Sequence, residues 1–146
     1  MKRDDNFYMQ EALREARRAL EKGEIPIGAV VVSPRGDIIG RGHNLTETLR
    51  DVTAHAEMQA LTAAADAMGG KYLTDCTLYV TVEPCVMCAG ALGWAQLPRL
   101  VYGCRDEKRG FVGFAPKALH PKAVMTGGIL EEECRQLMQD FFRQKR

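Results

Sequence analysis

The sequence predicts an α/β fold, a three-layer α/β/α sandwich on a mixed five-stranded sheet. Three observations carry this expectation. Short runs of β-branched and aromatic residues alternate with longer stretches of helical periodicity. Glycine and proline punctuate the junctions between them. The chain has 146 residues, 46% of them hydrophobic, which suffices for a real core, so residues 1–146 are expected to form one domain.

The elements follow in order. Over 6–22, Phe7, Leu13, Ala16 and Leu20 recur near helical spacing, and Gly23 is a good stop. The branched apolar run 27–32 reads as a buried strand. Pro34-Arg35-Gly36-Asp37 makes a turn, and 38–42 returns as a second strand. A polar loop covers 43–52, and Thr53 is the expected N-cap of a helix over 54–68 that Gly69-Gly70 closes. Residues 77–82 are rich in β-formers and make a third strand. Pro84 suits the first turn of a short helix reaching about Ala95, and Pro98 ends it. A fourth strand is expected over 100–104, irregular chain over 105–122 and a short fifth strand over 123–126. The final helix, 129–143, carries Glu131, Glu132 and Glu133 in its first turn, where they complement the helix dipole.

Composition narrows the function classes. No run of about 18 apolar residues occurs, so no membrane span is expected. Residues 1–6 lead into charged helical sequence without the apolar centre of a signal peptide. Five cysteines, two of them in a metal-type motif, argue against a disulfide framework and for a cytoplasmic protein. The net charge of +1 is unevenly spread. Residues 1–97 hold ten Lys/Arg and thirteen Asp/Glu, a balance of −3, whereas 98–146 hold ten and six, a balance of +4. This basic third includes Arg105, Lys108, Arg109, Lys117, Lys122 and the tail 143–146, with Phe111, Phe114, Phe141 and Phe142 near in sequence. It reads equally as a nucleic-acid surface or as a solvated face over core aromatics.

The metal-binding chemistry falls in two motifs. His55-Ala56-Glu57 is followed thirty residues on by Pro84-Cys85-Val86-Met87-Cys88. One His and two Cys leave a zinc ion one position for water. Zinc lowers the pKa of such a water to about 7. One Zn2+ per chain is therefore expected on His55, Cys85 and Cys88, with Glu57 as the proton carrier beside the water. Each half of the pattern is weak alone, because a bare CxxC also serves redox pairs and structural zinc knuckles. A structural site would need a fourth ligand from His43, His120, Cys76, Cys104 or Cys134, and none of these lies in a second paired motif. Cys76, Cys104 and Cys134 read instead as small buried hydrophobes, and His120 as a plain loop residue. His55 and Glu57 are expected on the first turn of one helix, and Cys85 and Cys88 on one face of the next helix's first turn. Two positive helix ends would then converge on the metal, at the strand ends where the helices begin.

His-x-Glu followed by Pro-Cys-x-x-Cys is the known signature of zinc-dependent nucleobase deaminases. With it, the chain resembles the cytidine deaminase-like superfamily and, within it, the bacterial tRNA-specific adenosine deaminases. The likeness rests on segments 25–30, 43–44, 51–57, 81–91 and 103–110, and on the ending Gly128-Ile129-Leu130, Glu133-Cys134 and Phe141-Phe142-Arg143. The resemblance implies that Glu57 moves protons from the water to the ring nitrogen and the leaving amine. It implies that Asn44 hydrogen-bonds the purine edge and that the backbone around Ala56 and Pro84 holds the base. Asp106 and Phe142, with their neighbours, match positions that contact RNA around a flipped base. A tRNA anticodon arm as partner, and a homodimer, are implied in the same way.

Bland readings stand beside these. Asn44 could be a turn residue, and Asp106 a surface partner of Arg105 or Lys108. Of the adjacent Phe141 and Phe142, a helix buries only one well, leaving the other for RNA or a subunit contact. Three features depart from the family. Val52 stands where Pro is more usual, the loop 110–122 is short, and Trp94-Ala95 within 92–97 is similar to bacterial guanine deaminases. Two enzymatic readings follow. One is deamination of the wobble adenosine of a tRNA to inosine. The other is deamination of a free purine base or nucleoside, guanine first, as a small-molecule substrate. Pro26, Asn44, the Val-Glu-Pro-Cys-Val-Met-Cys stretch over 82–88, the Phe-Phe-Arg end and the basic C-terminal third favour the tRNA. A non-catalytic zinc-stabilised RNA-binding subunit is a third reading, but it has no use for Glu57.

Overall fold

The computed structural model describes residues 3–145; Met1, Lys2 and the Arg146 counted in the basic tail lie outside them. Helix α1 (Asp5–Glu21) opens the chain, followed by β1 (Gly28–Val32) and β2 (Ile38–His43). Helix α2 (Ala56–Met68), β3 (Thr77–Val82), α3 (Val86–Trp94) and β4 (Arg99–Cys104) form the centre. A 3-10 turn over Phe111–Gly113, β5 (Val124–Thr126) and α4 (Glu131–Gln144) complete it. The sheet runs β2-β1-β3-β4-β5. Strand β1 is antiparallel to β2 and β3, while β3, β4 and β5 are parallel, so the sheet is mixed as the sequence predicts.

The sandwich follows from the period-two pleat. Ala29 and Val31 of β1, with Leu78, Val80 and Leu100, face one cluster that holds Ala60 and Ala64 of α2 and Ala89 and Leu92 of α3. Val30 and Val32, with Tyr79 and Val101, face the other, against Met9, Ala12 and Leu13 of α1 and Cys134 of α4. Each face of the sheet thus carries two helices. Helix α2 lies directly on the edge strand β2, because a Cβ at Gly40 or Gly42 would overlap the α2 backbone at Ala60 and Ala56. No helix among the described residues is long and apolar enough to cross a membrane.

The structure corrects all four helix starts, α4 beginning at Glu131 and not at 129. Asp4 caps α1, accepting from the Phe7 N–H at 2.9 Å. Thr53 is not the cap of α2. Its hydroxyl and N–H both go to Asp51 Oδ1, at 2.7 and 2.8 Å, closing the preceding loop, and His55 takes the cap position. Pro84 likewise precedes the helix, whose cap is Cys85. His55 and Cys85 therefore sit at the caps, while Glu57 and Cys88 occupy the first turns as expected.

Candidate active site

His55 and Cys85 cap α2 and α3 in extended backbone, at φ −76°, ψ 158° and φ −74°, ψ 174°. Neither side chain makes a capping hydrogen bond, so both are available to meet each other. Cys88 follows in the first turn of α3 and is fully buried. His55 Nδ1 lies 3.6 Å from Cys85 Sγ and 3.5 Å from Cys88 Sγ, and the three ligand atoms fall within 4.8 Å of one another. A tetrahedral zinc with Zn–S of about 2.3 Å and Zn–N of about 2.05 Å would hold S and N roughly 3.6 Å apart. The donor set and its spacing fit such an ion. Among the described residues no fourth His, Cys, Asp or Glu joins the cluster, which leaves a coordination position open and disfavours a closed structural site.

The electrostatics suit a cation. Cys85 is held down to about 4 as a thiolate, first by the hydrogen bond from the Cys88 thiol and then by His55. The same contact, with burial, pushes Cys88 up, and contact with the Cys85 thiolate raises His55. The positive ends of α2 and α3 add to the preference for thiolate. Glu57, in the first turn of α2, is 4% exposed. Burial foremost, and then the Cys85 thiolate, push its carboxyl up to about 7. A divalent ion among these groups would favour the charged form of all three acids. Glu57 also lies in contact with Cys88, one of the three candidate ligands.

The cluster forms the floor of a cleft of about 1220 Å³. His55, Ala56, Glu57 and Cys85 line it together with Asn44, Asp106 and Phe142, so the residues singled out in the sequence converge on one space, with Cys88 beneath. Asn44 is buried at the end of β2. Its N–H donates to Ile27 O at 3.1 Å, and its Oδ1 accepts from the Thr46 N–H at 3.4 Å. Asp106 pairs with neither Arg105 nor Lys108 through side chains. Its Oδ1 accepts the backbone N–H groups of Lys108 and Arg109 at 3.1 and 3.0 Å, capping a turn. Phe141 is buried and Phe142 is 45% exposed over the cleft, the division that adjacency on a helix requires. Of the basic third, Arg105, Lys108, Arg109, Arg135 and Lys145 line the cleft. His120 accepts from the Lys122 N–H in its own loop, and Cys76, Cys104 and Cys134 are buried. Trp94 is 84% exposed and does not line the cleft.

Three buried carboxylates, Glu15, Glu24 and Glu83, were not evident from the motifs, and two of them anchor loops. Glu24 Oε2 accepts from both the N–H and the hydroxyl of Thr48 at 2.6 Å, and Oε1 from the Glu47 N–H at 3.2 Å. Glu83, after β3, accepts three hydrogen bonds from 105–112. The available signal was a lone acid set directly against an apolar strand run, Glu24 before Ile25 and Glu83 after Val82.

Comparison with known proteins agrees with this geometry. The model of the MafB19-like deaminase family matches residues 3–146. A tRNA-specific adenosine deaminase of Bacillus subtilis is 46% identical over 147 residues, covering 97% of this chain and 91% of the relative. The chain belongs to the tRNA-specific adenosine deaminase family. A solved structure from work on A-to-I editing by tRNA:A34 deaminases has a TM-score of 0.83 and 42% identity, covering 89% of this chain and 97% of that one. The Bacillus subtilis guanine deaminase is a more partial match, at TM-score 0.67 and 37% identity over 70% of this chain and 66% of its own. As a member of the tRNA-specific adenosine deaminase family with an intact His-x-Glu and Pro-Cys-x-x-Cys site, the protein is a deaminase.

Proposed function

We propose that the protein binds one zinc ion and hydrolyses the wobble adenosine of a tRNA to inosine. The observation that carries this reading is the composition of the cleft. A metal-type triad with a buried acid lies opposite exposed cations that a free base does not need. The family names point the same way.

Zinc with three protein ligands supplies a water acidified to about 7. Glu57 takes one proton from the attacking water and passes it to the purine ring nitrogen, and then carries the second proton, from the new C6 hydroxyl, to the departing amine. One water is consumed, the C6–N bond breaks and ammonia leaves. Burial raises the Glu57 carboxyl above the usual carboxylate range and a bound cation would oppose that rise, so the group can both accept and donate a proton. Asn44 orients the purine edge, and the buried backbone at Ala56 flanks the base. Asp106 acts on RNA through the turn it caps, and Phe142 offers a stacking face. The enzyme works in the cytoplasm as a homodimer, as the family resemblance implies.

The test is a product assay on zinc-loaded enzyme, offering an arginine tRNA with a wobble adenosine, free guanine, adenosine and cytidine in parallel. Glu57→Ala is the blank. Inosine in the tRNA alone is the expected result. Xanthine from guanine with untouched tRNA would move the protein to free-purine chemistry.

A further inference from the structure

Glu83 takes no part in the deamination chemistry above, yet its side chain is completely inaccessible. Burying a carboxylate is costly unless it is well paired. All of its hydrogen-bonded partners lie on one segment. Its Oε1 accepts from the Asp106 N–H at 3.2 Å and from Arg105 Nε at 3.4 Å, and its Oε2 from the Val112 N–H at 3.0 Å. Pro84 O, one residue on, accepts from the Phe111 N–H at 2.9 Å, and Cys85 pairs with Gly110 in an isolated antiparallel bridge. Both ends of 105–112 are thereby fastened to the chain that presents a metal ligand.

The middle of the segment is equally determined. Asp106 Oδ1 holds the N–H groups of Lys108 and Arg109, and Asp106 O accepts from the Gly110 N–H at 2.8 Å. Gly110 is needed there because a Cβ would overlap the Glu83 carboxylate. Arg105 is engaged with Glu83. Lys108 and Arg109 are exposed, line the cleft, and have no ion-pair partner among the described residues. The result is a hydrogen-bonded turn that presents two cations without an ion-pair partner among the described residues, with the exposed Glu107 beside them, to the cleft that holds the metal-type cluster.

We infer that Glu83 is a positioning residue that makes 105–112 a pre-formed phosphate-binding arm on the Cys85 turn, and so sets the preference for a polynucleotide over a free base. The inference rests on the RNA reading above. A fixed arm has less conformational freedom to lose on binding, so its effect falls on substrate affinity. The chemical step, made by Glu57 and the metal, keeps its rate once substrate is saturating.

The experiment compares holoenzyme carrying Glu83, Glu83→Gln or Glu83→Ala on an anticodon stem-loop RNA. It reads bound zinc, kcat, KM and the salt dependence of RNA binding. For Glu83→Ala the expected result is a KM raised on the order of tenfold, with kcat and zinc content retained. The salt slope should flatten by up to about 1.4, the value for two lost phosphate contacts at roughly 0.7 each. Glu83→Gln, which keeps one acceptor, should lie between. Adding Lys108→Ala to Glu83→Ala should change little, because the cation is already misplaced, although Lys108→Ala alone weakens binding. Unchanged KM and slope would overturn the inference. So would zinc and kcat falling together in both variants, since Glu83 would then support the metal turn instead. A wild-type enzyme that neither binds this RNA nor forms inosine would sink the substrate reading itself, before any variant is compared.

Discussion

The loop over 44–54 and the loop over 105–112 each contribute a wall of the cleft, and each hangs on a buried glutamate. Glu24 holds Glu47 and Thr48 on the first wall, and Glu83 holds Asp106 and Val112 on the second. Burial works against the Glu24 carboxylate, but the Thr48 hydroxyl and the Thr48 and Glu47 N–H groups outweigh it and leave its pKa below the usual value. The walls differ in what they present. The first carries Asn44, buried and uncharged, and runs straight into His55 and Glu57. The second carries exposed Lys108 and Arg109. The same anchoring device thus serves two tasks. A buried amide can discriminate one base edge from another, because leaving it unpaired is costly. Exposed cations attract any phosphate but distinguish no sequence.

Substitutions should separate the two walls. The largest effect belongs to Glu57→Ala at the foot of the first wall. It should lower kcat by at least about 100-fold, the scale of lost general acid–base catalysis, while metal analysis still finds zinc bound. A Glu57→Ala enzyme with near-normal single-turnover rates would favour a binding subunit over a catalyst. Next comes Asn44→Ala, with an expected loss in kcat/KM of about 10- to 100-fold for a buried hydrogen-bonding group. Its salt slope should match the wild type; a flattened slope would place Asn44 on the phosphate side and dissolve the contrast. Lys108→Ala should cost only several-fold in KM and reduce the salt slope by about 0.7, one phosphate contact. A kcat defect at saturating RNA would show the second wall reaching into the chemistry. Trp94→Ala should leave kcat/KM within about twofold, since single exposed apolar side chains away from a site contribute little. A change of base preference in that variant would restore the guanine reading that its sequence context suggests.

The metal triad and Glu57 were legible because their chemistry demands particular residue types at short local spacings, and a helix start presents such spacings whatever surrounds it. The sheet was legible for a similar reason: runs such as 28–32 and 77–82 are buried on both faces and read as continuous apolar sequence. Phe141 and Phe142 could be divided into buried and exposed partners, though not assigned, until α4 packed on β4. The cap expected at Thr53 and the first-turn place expected for Pro84 were misjudged because Asp51 competes for Thr53 and because His55 and Cys85 occupy the cap positions. What the sequence determined by itself was the grouping of the candidate site residues and the layered fold, both products of local pattern. Only the tertiary structure decided the exposure of Trp94 and the hydrogen-bond partners of Glu24, Glu83 and Asp106. Their partners lie in other segments or in backbone N–H groups, and no side-chain pattern encodes which carbonyls and amides a fold leaves for a buried carboxylate to satisfy.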